Sequence, residues 1–194
     1  MPEEWGVSMR PQSQHPSIPV KEELPVSEDP HRIHAGADDL PDTVRREIAA
    51  HHALYARDPE AAHMWDPIVI GVPGGPVPCL LLHHVGRKSA QRLNSILQYY
   101  RHADDIVIVA SKGGLPQHPI WYLNLVAEPA CAVEIGAFRS DAVARTLAGA
   151  ERALWWQRVT AEQAVQVEYQ ARTTREIPLI KLALRTTAPR RSAP

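Results

Sequence analysis

The sequence predicts a β-rich α+β chain, a small closed or split β-barrel of six or seven mainly antiparallel strands with a few helices. Three observations carry this. From Trp65 onward the chain breaks into short apolar, β-branched runs separated by Gly, Pro and Asp, the texture of strands and turns. The connections VPGGP, GRKSA and HADD are too short for parallel crossovers, so successive strands are antiparallel neighbours. Helical periodicity is confined to a lead-in and to two late insertions.

Taken in order, residues 1–40 hold six of the 18 prolines and hardly any large apolar residue. Such a segment buries too little surface to offset its ordering entropy, which predicts a flexible Pro-rich N-terminal arm. Residues 41–64 form a helical lead-in: DTVRREIAAHHALYAR has Asp42 as its expected N-cap, with Val44, Ile48, His52 and Tyr55 on one face, and Pro59 ends it. Residues 65–185 make the barrel. DPIVIGV, VPCLLLHHV, QRLNSILQYYR and DIVIVAS are its first four strands. HPIWYLNLVAEP forms a short helix, with Pro119 near its first turn and Pro129 just past its end. ACAVEIG and FRSDAVARTLA are two further strands, and GAERALWWQRVTAEQAVQVEYQARTT is one helix with Leu154, Trp155, Val159 and Val165 on its apolar side. PLIKLAL is the last strand, and residues 186–194 are a disordered basic tail.

The totals exclude several function classes. At 194 residues the chain suits one domain with a real core. A net charge of -1, from 21 basic and 22 acidic residues, gives no global field for nucleic acid, so any basic site is local. No apolar run approaches membrane-spanning length, and no basic-then-apolar leader opens the sequence, so a cytoplasmic protein with no integral membrane span is expected. Cys79 and Cys131 lie in apolar runs and read as small buried thiols rather than a disulfide. No metal site is expected: the His51-His52 and His83-His84 pairs lack helical ligand spacing, and neighbouring strand residues face opposite ways.

Three segments can carry chemistry. In GRKSAQR, Gly86 can take a positive φ and free backbone amides, while Arg87, Lys88, Ser89 and Arg92 supply the donors that a phosphate or polycarboxylate tail needs. A solvated basic turn is the competing reading. In DIVIVASKGG an apolar strand breaks into Ser111, Lys112 and two glycines, either a cation with free amides at a strand end or a flexible loop. In PIWYLNL, Trp121, Tyr122 and Asn124 offer a flat wall and an amide, or Trp121 and Leu125 are simply the buried side of a helix.

The order of these segments, followed by YQ-x-R-T-x-R-x-IP, resembles the deazaflavin-dependent nitroreductase family, also known as reduced-deazaflavin-dependent quinone reductases, over about residues 65–184. The resemblance implies a flavin-reductase-like split barrel and reduced coenzyme F-420, an 8-hydroxy-5-deazaflavin with a phosphate and an oligoglutamate tail. Carried over, Arg87, Lys88 and Ser89 hold the phosphate and acidic tail, and Arg92, Leu93, Asn94 and Ser95 line the same groove. Ala110, Ser111, Lys112 and Gly113 sit beside the deazaflavin ring, and Ile120, Trp121, Tyr122 and Asn124 lie on the helix against it. Ser111, Lys112 and Tyr169 would be the catalytic group.

This chain departs from the family pattern in three places. The loop after Ser89 is one residue shorter and lacks a glycine, Ser95 replaces a proline, and Gln163 and Gln166 stand where late-helix tyrosines are usual. The expected activity is hydride transfer from the reduced deazaflavin to an electron-poor small-molecule acceptor: a quinone, an enone or imine, or a nitro compound. The alternatives are a non-catalytic deazaflavin or fatty-acid carrier and a relative that uses FMN. A monomer or homodimer is expected.

Overall fold

The computed structural model describes residues 41–185; the expected arm and tail lie outside them. Two helices, α1 (Asp42–Arg57) and α2 (Pro59–His63), lead into a short strand, β1 (Met64–Trp65). Then come β2 (Val77–Val85), β3 (Arg92–His102), β4 (Asp105–Val109), α3 (Ile120–Ala127), β5 (Ala130–Ile135), β6 (Phe138–Thr146), α4 (Gly149–Glu162), α5 (Val165–Ala171) and β7 (Leu179–Leu184). The sheet order is β1-β2-β3-β4-β7-β6-β5, and β5 pairs back onto β2, so six antiparallel strands close into a barrel with β1 appended.

Alternation decides what each strand buries. Leu80 and Leu82 of β2, Tyr99 of β3, Ile106 and Ile108 of β4, and Ile180 and Leu182 of β7 fill the interior. Intervening residues face outward and are covered in two places. Leu81 and Ile96 pack under α1 and α2 with Tyr55 and Ala62. Tyr100, Val107 and Leu179 pack under α4 with Trp155 and Val159, while Trp156 is only half-buried. β2 therefore reads as a nearly continuous apolar run because both of its faces are covered.

Three expectations change. DPIVIGV is not a strand: Pro67–Ile70 is a 3-10 turn in which the Asp66 carboxylate accepts from the Ile68 amide at 3.0 Å and Gly71 closes with φ 80°. Ile68 and Val69 are 55% and 50% exposed there, so cap chemistry overrides their β-branched preference. The late helix breaks at Gln163 and Ala164, which buries Gln163 and brings the Gln166 amide to the Tyr100 hydroxyl at 3.4 Å. No Pro or Gly marks that break. Asp42 is the first helical residue rather than the cap, and its carboxylate pairs with Arg45.

Tyr55 fastens α1 to the barrel. Its buried hydroxyl donates to the Glu134 carbonyl at 3.0 Å and accepts from the Gly136 amide at 3.1 Å. Tyr55→Phe strips both backbone groups of a partner, so the expected loss is about 1–3 kcal/mol, read as a lower midpoint in urea with unchanged slope.

Candidate cofactor and acceptor site

The antiparallel order brings the C-terminal ends of β2, β4 and β6 and the starts of β3, β5 and β7 to one rim. GRKSAQR joins β2 to β3 there, SKGG follows β4, and α3 precedes β5. The fold thus places the three sequence-predicted segments on one rim.

In GRKSAQR, the Gly86 amide donates to the Gln91 carbonyl at 2.8 Å and the Ala90 amide to the Gly86 carbonyl at 2.8 Å. The left-handed residue is Ala90, with φ 55°, and Gly86 does not have the expected positive φ. A Cβ at Gly86 would stand 2.5 Å from the Ser89 hydroxyl, a clash that rotation of that exposed side chain relieves. Arg87, Lys88, Ser89 and Arg92 are exposed. Ala90→Gly removes the steric cost of a left-handed alanine, so a net gain of about 0.5–1 kcal/mol is expected, or roughly 1–4 °C in Tm by scanning calorimetry.

Beneath the loop runs a buried polar chain. Asn124 Oδ1 accepts from the Arg87 amide at 3.1 Å and from its guanidinium at 3.2 Å. Asn124 Nδ2 lies 3.2 Å from His84 Nδ1, and His84 Nε2 lies 3.3 Å from the Ser95 hydroxyl. Asn124 and Ser95, 1% and 2% exposed, are thus committed to holding the loop rather than facing a ligand. Trp121 belongs to the barrel core, as does Ala110. Tyr122 is half-buried and turns toward β6, 3.5 Å from the Thr146 hydroxyl. Leu93, Asn94 and Ile120 are half-buried along the rim.

The SKGG segment is set from behind. Arg175, the second arginine of YQ-x-R-T-x-R-x-IP, donates to the carbonyls of Ser111 at 2.6 Å, Leu115 at 2.9 Å and Ala110 at 3.1 Å. Lys112, Gly113 and Gly114 follow with φ 48°, 64° and 82°, turning the chain away from the barrel wall. A Cβ on Gly114 would meet the Tyr169 carbonyl at 2.5 Å, so this glycine lets α5 seat against the loop. Tyr169 is half-buried with the Arg172 guanidinium 5.4 Å from its ring, and burial pushes its phenol up, keeping it protonated at neutral pH. Ser111 and Lys112 are half-buried and Gly113 exposed. The β3–β4 pairing ends at Tyr99 opposite Ile108 and β4 itself at Val109, so Ser111, with φ -71° and ψ -43°, stands beyond the strand at the start of the turn.

The closed six-stranded antiparallel barrel has the flavin-reductase-like fold, and its two basic, glycine-containing segments lie on one rim. A family model for the F420H2-dependent quinone reductases matches residues 60–183. The chain is 40% identical over 117 residues to an F420H2-dependent quinone reductase of Mycobacterium tuberculosis, covering 59% of this chain and 78% of that protein. Among solved structures it is similar to an F420-H2 dependent reductase, at 36% identity and TM-score 0.51 over 54% of this chain and 93% of the other. It is also similar to a chain described as a domain-swapped dimer, at 31% identity and TM-score 0.53 over 72% and 96%. The chain belongs to the F420H2-dependent quinone reductase family: it is an oxidoreductase that uses reduced coenzyme F-420 and acts on a small molecule. Among the described residues no helix is long and apolar enough to cross a membrane, and no group of three or more metal-ligating side chains occurs.

Proposed function

We propose that this protein reduces quinones, and that its cofactor lies across the outer face of β3 between GRKSAQR and SKGG. The observation that carries the reading is the pairing of a buried polar chain that fixes the first loop with a guanidinium clamp that fixes the second. Rigid backing leaves the exposed Arg87, Lys88 and Arg92 to face a ligand, and three cations with the Ser89 hydroxyl fit a phosphate and a carboxylate tail.

When bound, the reduced deazaflavin supplies a hydride to an electron-poor acceptor. The chain's own residues bind, orient and move protons. Lys112 and the peptide amides at the end of β4 lie where they can stabilise negative charge growing on the acceptor oxygen. The Ser111 hydroxyl makes no hydrogen bond among the described residues and is available to donate to that oxygen. Tyr169, protonated at neutral pH, is the proton source. The likeness to F420H2-dependent quinone reductases supports a quinone over a nitro compound as acceptor.

Residues 65–185 are the deazaflavin-binding unit, with 41–64 as its outer wall. The expected compartment is the cytoplasm, in keeping with the unpaired Cys79 and Cys131. A homodimer is supported by the related domain-swapped dimer, and light scattering distinguishes it from a monomer. Activity is tested by mixing the protein with reduced coenzyme F-420 and menadione and following the cofactor's visible absorbance. Reoxidation that depends on both protein and quinone is expected; binding without turnover would return the carrier reading.

A further inference from the structure

Under α1, against the outer faces of β2 and β3, is a cleft of about 390 Å³ including its open mouth. Ile96 and Gln98 form its floor, and Ile48, His51, Trp65 and Val77 its sides. We infer that this cleft receives the ring of a neutral, planar, apolar carbonyl acceptor, which makes Ile48, Trp65 and Gln98 the residues that select the substrate. The inference rests on the proposed placement of the cofactor along β3.

Position comes first. Hydride transfer requires the reacting atoms to approach to about 3–3.5 Å, so the acceptor must adjoin the proposed cofactor face of β3. Ile96 and Gln98 continue the outward series Arg92, Asn94 of the same strand, whose start lies at the rim where SKGG follows β4. The cleft floor and the proposed cofactor face are therefore one surface, and α1 roofs the part beyond the cofactor.

Wall chemistry then narrows the ligand. Among the lining residues none is acidic or a lysine or arginine, so nothing there compensates a charged substrate. The Trp65 and His51 rings are stacked 5.3 Å apart at 11°, a rigid flat wall. His51 Nε2 lies 2.8 Å from the Ala62 carbonyl and therefore carries the hydrogen, while burial pulls the imidazole's pKa down, so the wall is uncharged. Gln98 is half-buried, and its amide has no partner among the described residues, leaving a donor for a ring carbonyl. Burial pushes the neighbouring Cys79 thiol up to about 12, so an electrophilic ring meets no thiolate.

The test uses the full chain, with menadione as probe. Ile48→Trp fills the cleft and Gln98→Leu removes the donor. Each should raise the KM for menadione about tenfold while leaving the KM for reduced coenzyme F-420 within about twofold. Equilibrium binding of menadione to the protein without cofactor, by saturation-transfer NMR, should weaken in the same variants. If Ile48→Trp fails to fold, Gln98→Leu alone decides. Unchanged menadione KM and binding in the folded variants would overturn the inference, as would absence of menadione binding to the unaltered protein. Binding that is lost in the variants without any turnover by the unaltered protein would uphold the cleft and defeat the quinone-reductase proposal instead.

Discussion

Arg175→Ala is expected to cost about 3 kcal/mol of stability, roughly 6–12 °C in Tm, and to lower kcat/KM for the reduced cofactor about 100-fold. The guanidinium holds three main-chain carbonyls, those of Ala110, Ser111 and Leu115, on both sides of the left-handed run from Lys112 to Gly114. Removing it leaves these acceptors without their charged donor and lets the strained turn relax, so Ser111 and Lys112 lose their set positions. Burial already opposes the charge, shifting the Arg175 pKa down, and the three carbonyls are what retain it. Arg175→Lys should restore little, because a single ammonium cannot reproduce the planar fork across three acceptors. Calorimetry and steady-state kinetics check both effects; a variant that melts and turns over like the unaltered protein would show that the turn holds itself.

The second large effect belongs to the other loop. Arg87→Ala combined with Lys88→Ala should weaken coenzyme F-420 binding about 10–100-fold at low salt, in line with two exposed charge-assisted contacts worth together about 1.5–3 kcal/mol. The loop itself should survive. Its shape rests on the Gly86–Gln91 and Ala90–Gly86 backbone bonds and on the Arg87 amide held by Asn124, which remain when the guanidinium's own bond to Asn124 is lost. Fluorescence titration of the cofactor reads the affinity, and a circular dichroism melt shows the fold intact.

Much of the barrel was legible because period-two alternation and short turns report strand pairing directly, as in VPCLLLHHV and DIVIVAS. The misread elements share a cause: a local interaction that composition does not show. Pro67–Ile70 looks like a strand until the Asp66 carboxylate caps it, and the late helix, with no Pro or Gly to announce it, breaks at Gln163 and Ala164 where the Gln166 amide meets the Tyr100 hydroxyl. At the site, the cations were legible and their supports were not. His84 shares the inward side of β2 with Leu80 and Leu82, and an inward histidine must find polar partners; that was the available signal for the chain through Asn124 and Ser95. Arg175 lay within a quoted motif, but a cation between a helix and a last strand gives no hint from sequence that it turns inward onto carbonyls.

The central claim is that GRKSAQR anchors the acidic end of coenzyme F-420. It is tested most directly by titrating the full chain with the complete cofactor and with its deazaflavin core lacking phosphate and glutamates, at low and high salt. The complete cofactor should bind about 10–100-fold tighter at low salt, with the advantage shrinking as salt is added. Equal affinities for the two molecules, insensitive to salt, would contradict it.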